Sequence, residues 1–176
     1  MQFGKLTFEP AEDHLELLAR LTQDQIRSTQ LKDVLVSAID PNLSDTAAFC
    51  EYYEVGPATA ANCLVVEAKR GERVWYAACM VLATTKVDIN NVVRRQLDAR
   101  KISFASMESA VKLTGMEYGG ITPIGLPNDW PIFVDAQVAT TPYVIIGSGV
   151  RGSKLLVPGD LLGKLAGASV IDIVRH

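Results

Sequence analysis

The chain has 176 residues, of which 48% are hydrophobic and 21% charged, and 17 Lys and Arg stand against 20 Asp and Glu for a net charge of -3. That length and balance predict one globular domain and exclude disordered, fibrous and solenoid classes. The mild acidic excess argues against a general nucleic-acid coat and against DNA as a partner, but leaves room for a small basic patch that meets one RNA end. The longest apolar stretch, Val74–Ala83, is far shorter than the ~18 residues of a membrane span. Met1–Glu9 has no basic segment leading into an apolar one, so no secretory signal is expected and a cytoplasmic location is the default. Cys50, Cys63 and Cys79 are odd in number and widely spaced, which predicts reduced thiols and neither a disulfide framework nor a zinc site.

Residues 1–56 read as a helical segment of the same domain. Ala11–Leu21 brings Leu15, Leu17, Leu18 and Leu21 near one face, with Glu12 and Asp13 in the first turn. Leu31–Ile39 reads as a second short helix, ended by Asp40-Pro41 because the residue before proline avoids the α region. Asp45 can cap a third, Thr46–Tyr53, which Gly56-Pro57 stops.

The period then changes. Cys63–Ala68 and Val74–Leu82 are β-rich runs, and Lys69–Glu72 between them predicts a hairpin. Asp88 caps a helix with Ile89, Val92, Val93 and Leu97 inward and Arg94 and Arg95 outward. Ile102–Phe104 is a short strand, and Ser106 opens a helix that runs to Leu113 with Gly115 as its C-cap. Strands follow at Ile132–Asp135, Tyr143–Ile146 and Lys154–Val157, then a helix at Leu161–Leu165 and a strand at Ser169–Asp172. Interleaved helices and strands with several tight turns predict an α/β domain on a curved, mixed sheet.

Counting removes the usual catalytic devices. His14 and His176 are the only histidines and lie near the chain ends, which disfavours Ser-His-Asp and Cys-His arrangements. No His-Glu-x-x-His, Walker or calcium-loop motif occurs, so neither a metal nor an organic cofactor is expected. Gly147, Gly149 and Gly152 resemble a dinucleotide fingerprint only by their glycines, and without a long helix behind them they read as a turn.

The informative segment is Gly115–Pro127, with four glycines and two prolines in thirteen residues. One reading is a surface loop of several tight turns. The other is a rigid backbone cradle that a substrate approaches closely and whose N–H groups polarise an acyl carbonyl. Composition leaves both open.

Gly119-x-x-x-Pro123 in this segment resembles the Gly-x-x-x-Pro loop of the YbaK/prolyl-tRNA-synthetase-associated editing domains. Further landmarks fall in that family's order: Asp88, Lys101–Ser106, Ile132–Asp135, Gly147–Gly149 with Arg151-Gly152, and Pro158–Leu161. The match runs from about Phe49 to the C-terminus. It implies a barrel-like mixed sheet flanked by helices and a free-standing deacylase that hydrolyses the ester of mischarged aminoacyl-tRNA. Implied partners are the acceptor end of that tRNA and an aminoacyl-tRNA synthetase. The family is described as using a hydroxyl or amine of the substrate itself to assist.

By the same resemblance Gly119, Gly120, Ile121, Thr122 and Pro123 hold the aminoacyl group, Asp135 lies close to the pocket, and Gly147, Ser148, Gly149 and Arg151 form its other wall. The family's strand lysine, which contacts the tRNA end, aligns with Asn62, an amide without charge. Another cation can take its place, with Lys86 and Lys154 as candidates by position and Arg94 and Arg95 in the densest basic stretch. For Lys86 and Lys154 a solvated lysine is the commoner explanation, and a solvated helix face accounts adequately for Arg94 and Arg95. The Asn62 departure also keeps a second function open, a non-catalytic module that binds aminoacyl-tRNA ends or a synthetase. Cys63, Trp75, Tyr76 and Trp130 read first as packing residues.

Overall fold

A computed structural model describes residues 1–176 in full. The chain opens with a small ribbon of β1 (Gln2–Phe3) and β2 (Leu6–Thr7), followed by β3 (Glu9–Pro10), two 3₁₀ turns and α1 (Arg20–Thr29). Next come β4 (Leu35–Ala38), α2 (Thr46–Tyr53), and the long hairpin of β5 (Ala61–Arg70) and β6 (Arg73–Leu82). A π turn at Ile89–Val93 leads into α3 (Arg94–Gln96), then β7 (Lys101–Phe104) and α4 (Met107–Thr114). The last part holds β8 (Ile132–Asp135), α5 (Ala136–Thr140), β9 (Tyr143–Gly147), β10 (Ser153–Pro158), α6 (Gly159–Gly163) and β11 (Ala168–Ile171).

Two sheets carry the architecture, one in the order β11-β8-β6-β5-β7 and one in the order β3-β4-β10-β9. The sheet is mixed as expected, because β8 runs parallel to both β6 and β11 while the other pairings are antiparallel. A parallel bridge between Ala60 and Ile145 joins the sheets at the start of β5. Beyond that bridge they diverge, so the curved sheet does not close into a barrel.

β6 shows why this order is stable. Ala77, Cys79 and Val81 are buried on one face against Ile89, Val93 and Leu97, while Ala78, Met80 and Leu82 are buried on the other in the main core. A strand covered on both faces by apolar neighbours belongs at the centre of a sheet. The main core of 25 residues lies between the two sheets and the helices α4, α5 and α6.

Three elements correct the sequence reading. Ala11–Leu21 is not one helix: Ala11–Asp13 and Leu15–Leu17 are 3₁₀ turns, and the regular helix begins at Arg20. Leu15 and Leu17 lie two apart, a spacing that no α-helical face accommodates, and α1 buries only Thr22 and Ile26 at i, i+4. The expected helix at Leu31–Ile39 is the strand β4, paired with β10 and β3. β-branched Val36 fits a pleated strand, and a short apolar run carries no decisive period. The final helix starts two residues earlier than expected, at Gly159.

Other local expectations match the backbone. Asp45 accepts from the amides of Ala47 and Ala48, and Ser106 Oγ accepts from Ser109 N at 3.1 Å. Gly115 ends α4 in the left-handed region at φ 68°. α4 leads directly into the glycine-rich loop, so its start is a clean probe of that anchor. Ser106→Ala is expected to lower stability by about 1 kcal/mol in urea unfolding, with the slope unchanged.

Candidate functional site

The divergence of the two sheets opens a cleft of about 520 Å³. One wall is β5 from Ala61 to Val65. The facing wall combines Gly147 at the end of β9, Lys154 on β10, and Ser44–Thr46 at the start of α2. The glycine-rich loop crosses one side through Tyr118, Gly119 and Ile121, while Phe104 and Ala105 close another.

That loop is held by contacts that exclude side chains. Gly149 N donates to Gly120 O at 2.6 Å, and Glu117 N donates back to Gly149 O at 2.9 Å. A Cβ on Gly120 would sit 2.4 Å from Val150 O, and one on Gly147 would sit 2.5 Å from the carbonyls of both Gly120 and Ile121. Both are backbone clashes, so neither position accepts a side chain without moving a main chain. Arg151 fastens the same region: its amide donates to Glu117 Oε1 at 2.8 Å, Nη1 to Tyr118 O and Nη2 to Pro41 O, each at 3.1 Å. From behind, Thr22 Oγ1 donates to Ile124 O at 2.8 Å and Gly125 N donates to Gln25 Oε1 at 2.6 Å. The missed helix α1 is therefore the loop's rear support.

Within the cleft, Asn62 accepts a hydrogen bond from Thr46 Oγ1 at 2.6 Å. Lys154 is only 8% exposed; its Nζ donates to Ser44 O at 3.0 Å and sits 5.3 Å above the Phe49 ring. Burial pushes its amine down to about 8, with Arg151 adding to the shift and Cys50 and Asp45 opposing it. Burial also raises the Cys63 thiol, with Cys79 contributing, so the one sulfur on the cleft wall is a thiol and not a thiolate nucleophile.

The structure thus brings Asn62, Gly119, Ile121, Gly147 and Lys154 to one cleft. Gly120 packs behind its wall. Thr122 is fully buried with its Oγ1 unpartnered, and Pro123 borders a second cavity on the α1 side. Ser148 is buried in the turn, where its hydroxyl donates to Val150 O and Ser153 O, and Gly149 takes a positive φ of 90° beside Ala19.

Asp135 does not line the cleft: it is 1% exposed and accepts from Gln137 N and Ile173 N, which ties β8 to α5 and the C-terminal segment. Lys86, Arg94 and Arg95 also lie away from the cleft; the two arginines fold back onto the carbonyls of Asn90 and Asn91. Asp45, Thr46, Phe104 and Tyr118 join the cleft although the sequence offered them only as cap, helix, strand and loop residues, and Ser44, which it did not single out, joins them. The helix cap at Asp45 was the one local signal, and it reached only Asp45 and Thr46.

The aminoacyl-tRNA editing domain family matches residues 40–165, and the chain belongs to that family. A structure titled as a "putative trans-editing enzyme for prolyl tRNA synthetase" is 19% identical, with a TM-score of 0.76 over 90% of this chain and 97% of that one. The hypothetical protein APE2540 is 20% identical, with a TM-score of 0.77 over 89% of this chain and 100% of that one. A signal transduction protein, also titled as putative, from Marinobacter aquaeolei VT8 matches at 14% identity and a TM-score of 0.60, over 89% of this chain but 30% of its own. No helix is long and apolar enough to cross a membrane.

Lys154 gives the site a measurable signature. Its folded value of about 8 lies below the ordinary 10.5, so between those limits the unfolded chain binds the extra proton. Stability is therefore lowest below pH 8 and recovers as pH rises from about 8 to 10.5, by on the order of 3 kcal/mol. Urea unfolding of the wild type minus that of Lys154→Met should show this rise. A flat difference across the window would contradict the burial argument.

Proposed function

We propose that the chain is a free-standing trans-editing deacylase that hydrolyses the ester of a mischarged aminoacyl-tRNA in the cleft between its two sheets. The observation that carries the reading is the glycine cradle, a loop with its main chain exposed to the cleft and locked from behind, in a member of the editing-domain family. Gly120 N is spent on Glu117 O, whereas Gly119 N and Ile121 N donate to no protein acceptor. These two amides are the proposed donors to the ester carbonyl as it becomes an oxyanion. Water attacks the acyl carbon, the C–O bond to the ribose breaks, and the ribose hydroxyl leaves with a proton. An aminoacyl ester is already reactive, so positioning and such donors suffice without histidine or metal.

The cleft's apolar side, with Ala61, Val65, Ala105 and Ala110, suits a small or proline-like side chain. Residues 1–176 act as one unit in this proposal, because Ser44–Thr46 and α1 of the N-terminal segment complete and support the cleft. The expected partners are the acceptor end of the tRNA and, through it, a synthetase in the cytoplasm. Lys154 is the cation at the tRNA end. Lys86, Arg94 and Arg95, on another surface, add at most general attraction to RNA that falls steeply with salt.

Asn62 favours one second reading, a module of the same fold that binds aminoacyl-tRNA ends without turnover. It brings an amide where the resemblance expects a charge, and its oxygen is occupied by Thr46. Incubating the protein with a panel of correctly charged and mischarged tRNAs decides between them. The deacylase reading expects release of one amino acid and its loss, by more than about ten-fold, in Gly119→Val. That position has φ 90°, and a Cβ there would meet Arg151 Nη1 at 2.7 Å and Ser44 Oγ at 3.1 Å. Release from none of the tRNAs by folded protein, with turnover gained in Asn62→Lys, would establish the binding module instead.

A further inference from the structure

Ser44 and Lys154 form a polar corner that folding alone does not account for. Ser44 is 2% exposed and its Oγ has no hydrogen-bond partner. An orphaned buried hydroxyl is destabilising, and replacing it by a methyl group removes that cost. It stands against Gly119 together with Arg151 Nη1: a Cβ on that glycine would lie 3.1 Å from Ser44 Oγ and 2.7 Å from Nη1. The Ser44 carbonyl meanwhile holds the Lys154 ammonium at 3.0 Å, on the cleft wall.

Neither Lys154 nor Arg151 pairs with a carboxylate; the nearby Asp45 side chain is committed to the amides of Ala47 and Ala48. Lys154 and an idle hydroxyl thus meet at one end of the cleft, with the Arg151 guanidinium packed against Gly119 beside them. Burying an unpaired ammonium is expensive, and so is leaving a hydroxyl unpartnered beside it. A single negatively charged oxygen entering the corner resolves both.

Building on the editing reading, we propose that Ser44 Oγ and Lys154 Nζ, backed by Arg151, bind a phosphate oxygen of the substrate's terminal nucleotide. A phosphate presents several anionic oxygens, enough to meet an ammonium, a guanidinium and a hydroxyl together. Lys154 then supplies from β10 the charge that Asn62 on β5 does not. The two positions are linked through one short segment: Lys154 holds Ser44 O, and Asn62 holds the Thr46 hydroxyl. With the phosphate at this end, the acyl group extends along the cleft toward Ile121 and the apolar residues of β5.

The test uses the full chain, with adenosine 5′-monophosphate, adenosine and free alanine as probes. Modification of the Lys154 amine by acetic anhydride is followed by peptide mass spectrometry, and binding by titration calorimetry. Adenosine monophosphate should slow modification of Lys154 several-fold, whereas adenosine and alanine should not. Its affinity should fall roughly ten-fold or more in both Lys154→Met and Ser44→Ala.

Ser44→Ala also separates binding from folding. Its unfolding midpoint should stay level or rise, since it removes an unsatisfied hydroxyl, while the affinity falls. Equal protection by adenosine would overturn the proposal, as would protection by alanine alone or unchanged affinity in Ser44→Ala. Protection by adenosine monophosphate in a protein that releases no amino acid from any tRNA would retire the deacylase reading and leave the phosphate corner standing.

Discussion

The contact on which the rest depends is backbone against backbone, between the loop at Glu117–Gly125 and the turn at Gly147–Arg151. Reciprocal bonds between Glu117, Gly120 and Gly149 draw the two segments so close that a single methyl group on Gly120 or Gly147 would strike a carbonyl. The turn joins β9 to β10 and the loop leads from α4 to β8 of the other sheet, so the contact ties the two sheets together beside the cleft. The cleft is the consequence. Its width is set by main-chain packing on one side and by the Ala60–Ile145 bridge at the other end. Side chains then only have to furnish it.

The furnishing is sparse and asymmetric. Ala61, Val65 and Ala110 make an apolar wall, and the charged groups gather where α2 begins. These surroundings depress the amine of Lys154 by burial. The same burial raises the thiols of Cys63 and Cys79, the latter to about 12, so the sulfurs near β5 are inert packing atoms. The chain gives up stability to hold an ammonium in this place, and such a cost is understandable at a position that meets a ligand.

Much of this order was readable beforehand where a residue type has a single physical use. Asp45 and Ser106 announced helix starts, Gly115 a helix end, and Lys69–Glu72 a hairpin, and each has the local geometry its chemistry demands. Gly119 and Gly147 were placed at the cradle by the family resemblance, since composition alone left the first in an ambiguous loop and the second in a turn. What stayed hidden was decided at long range. β4 is a strand because β10 offers it a ladder, which no local period encodes. α1 is polar almost throughout, so its role as rear support through Thr22 and Gln25 left no hydrophobic trace. Asp135 shows the opposite error: its place in a run of landmarks suggested the pocket, yet its carboxylate is consumed by two backbone amides. Ser44 had no signal at all, since only its three-dimensional surroundings make its hydroxyl unusual.

The central claim is that the glycine cradle and the β5 wall receive the aminoacyl end of a charged tRNA. Amide chemical-shift mapping with a non-hydrolysable 3′-aminoacylamino analogue of adenosine tests it most directly. The account predicts the largest shifts at Gly119, Ile121, Asn62 and Gly147, and none beyond background at Asp24, Gln25 and Asn128 around the second cavity. Shifts centred on that second cavity, or none in the cleft at saturating analogue, would contradict it.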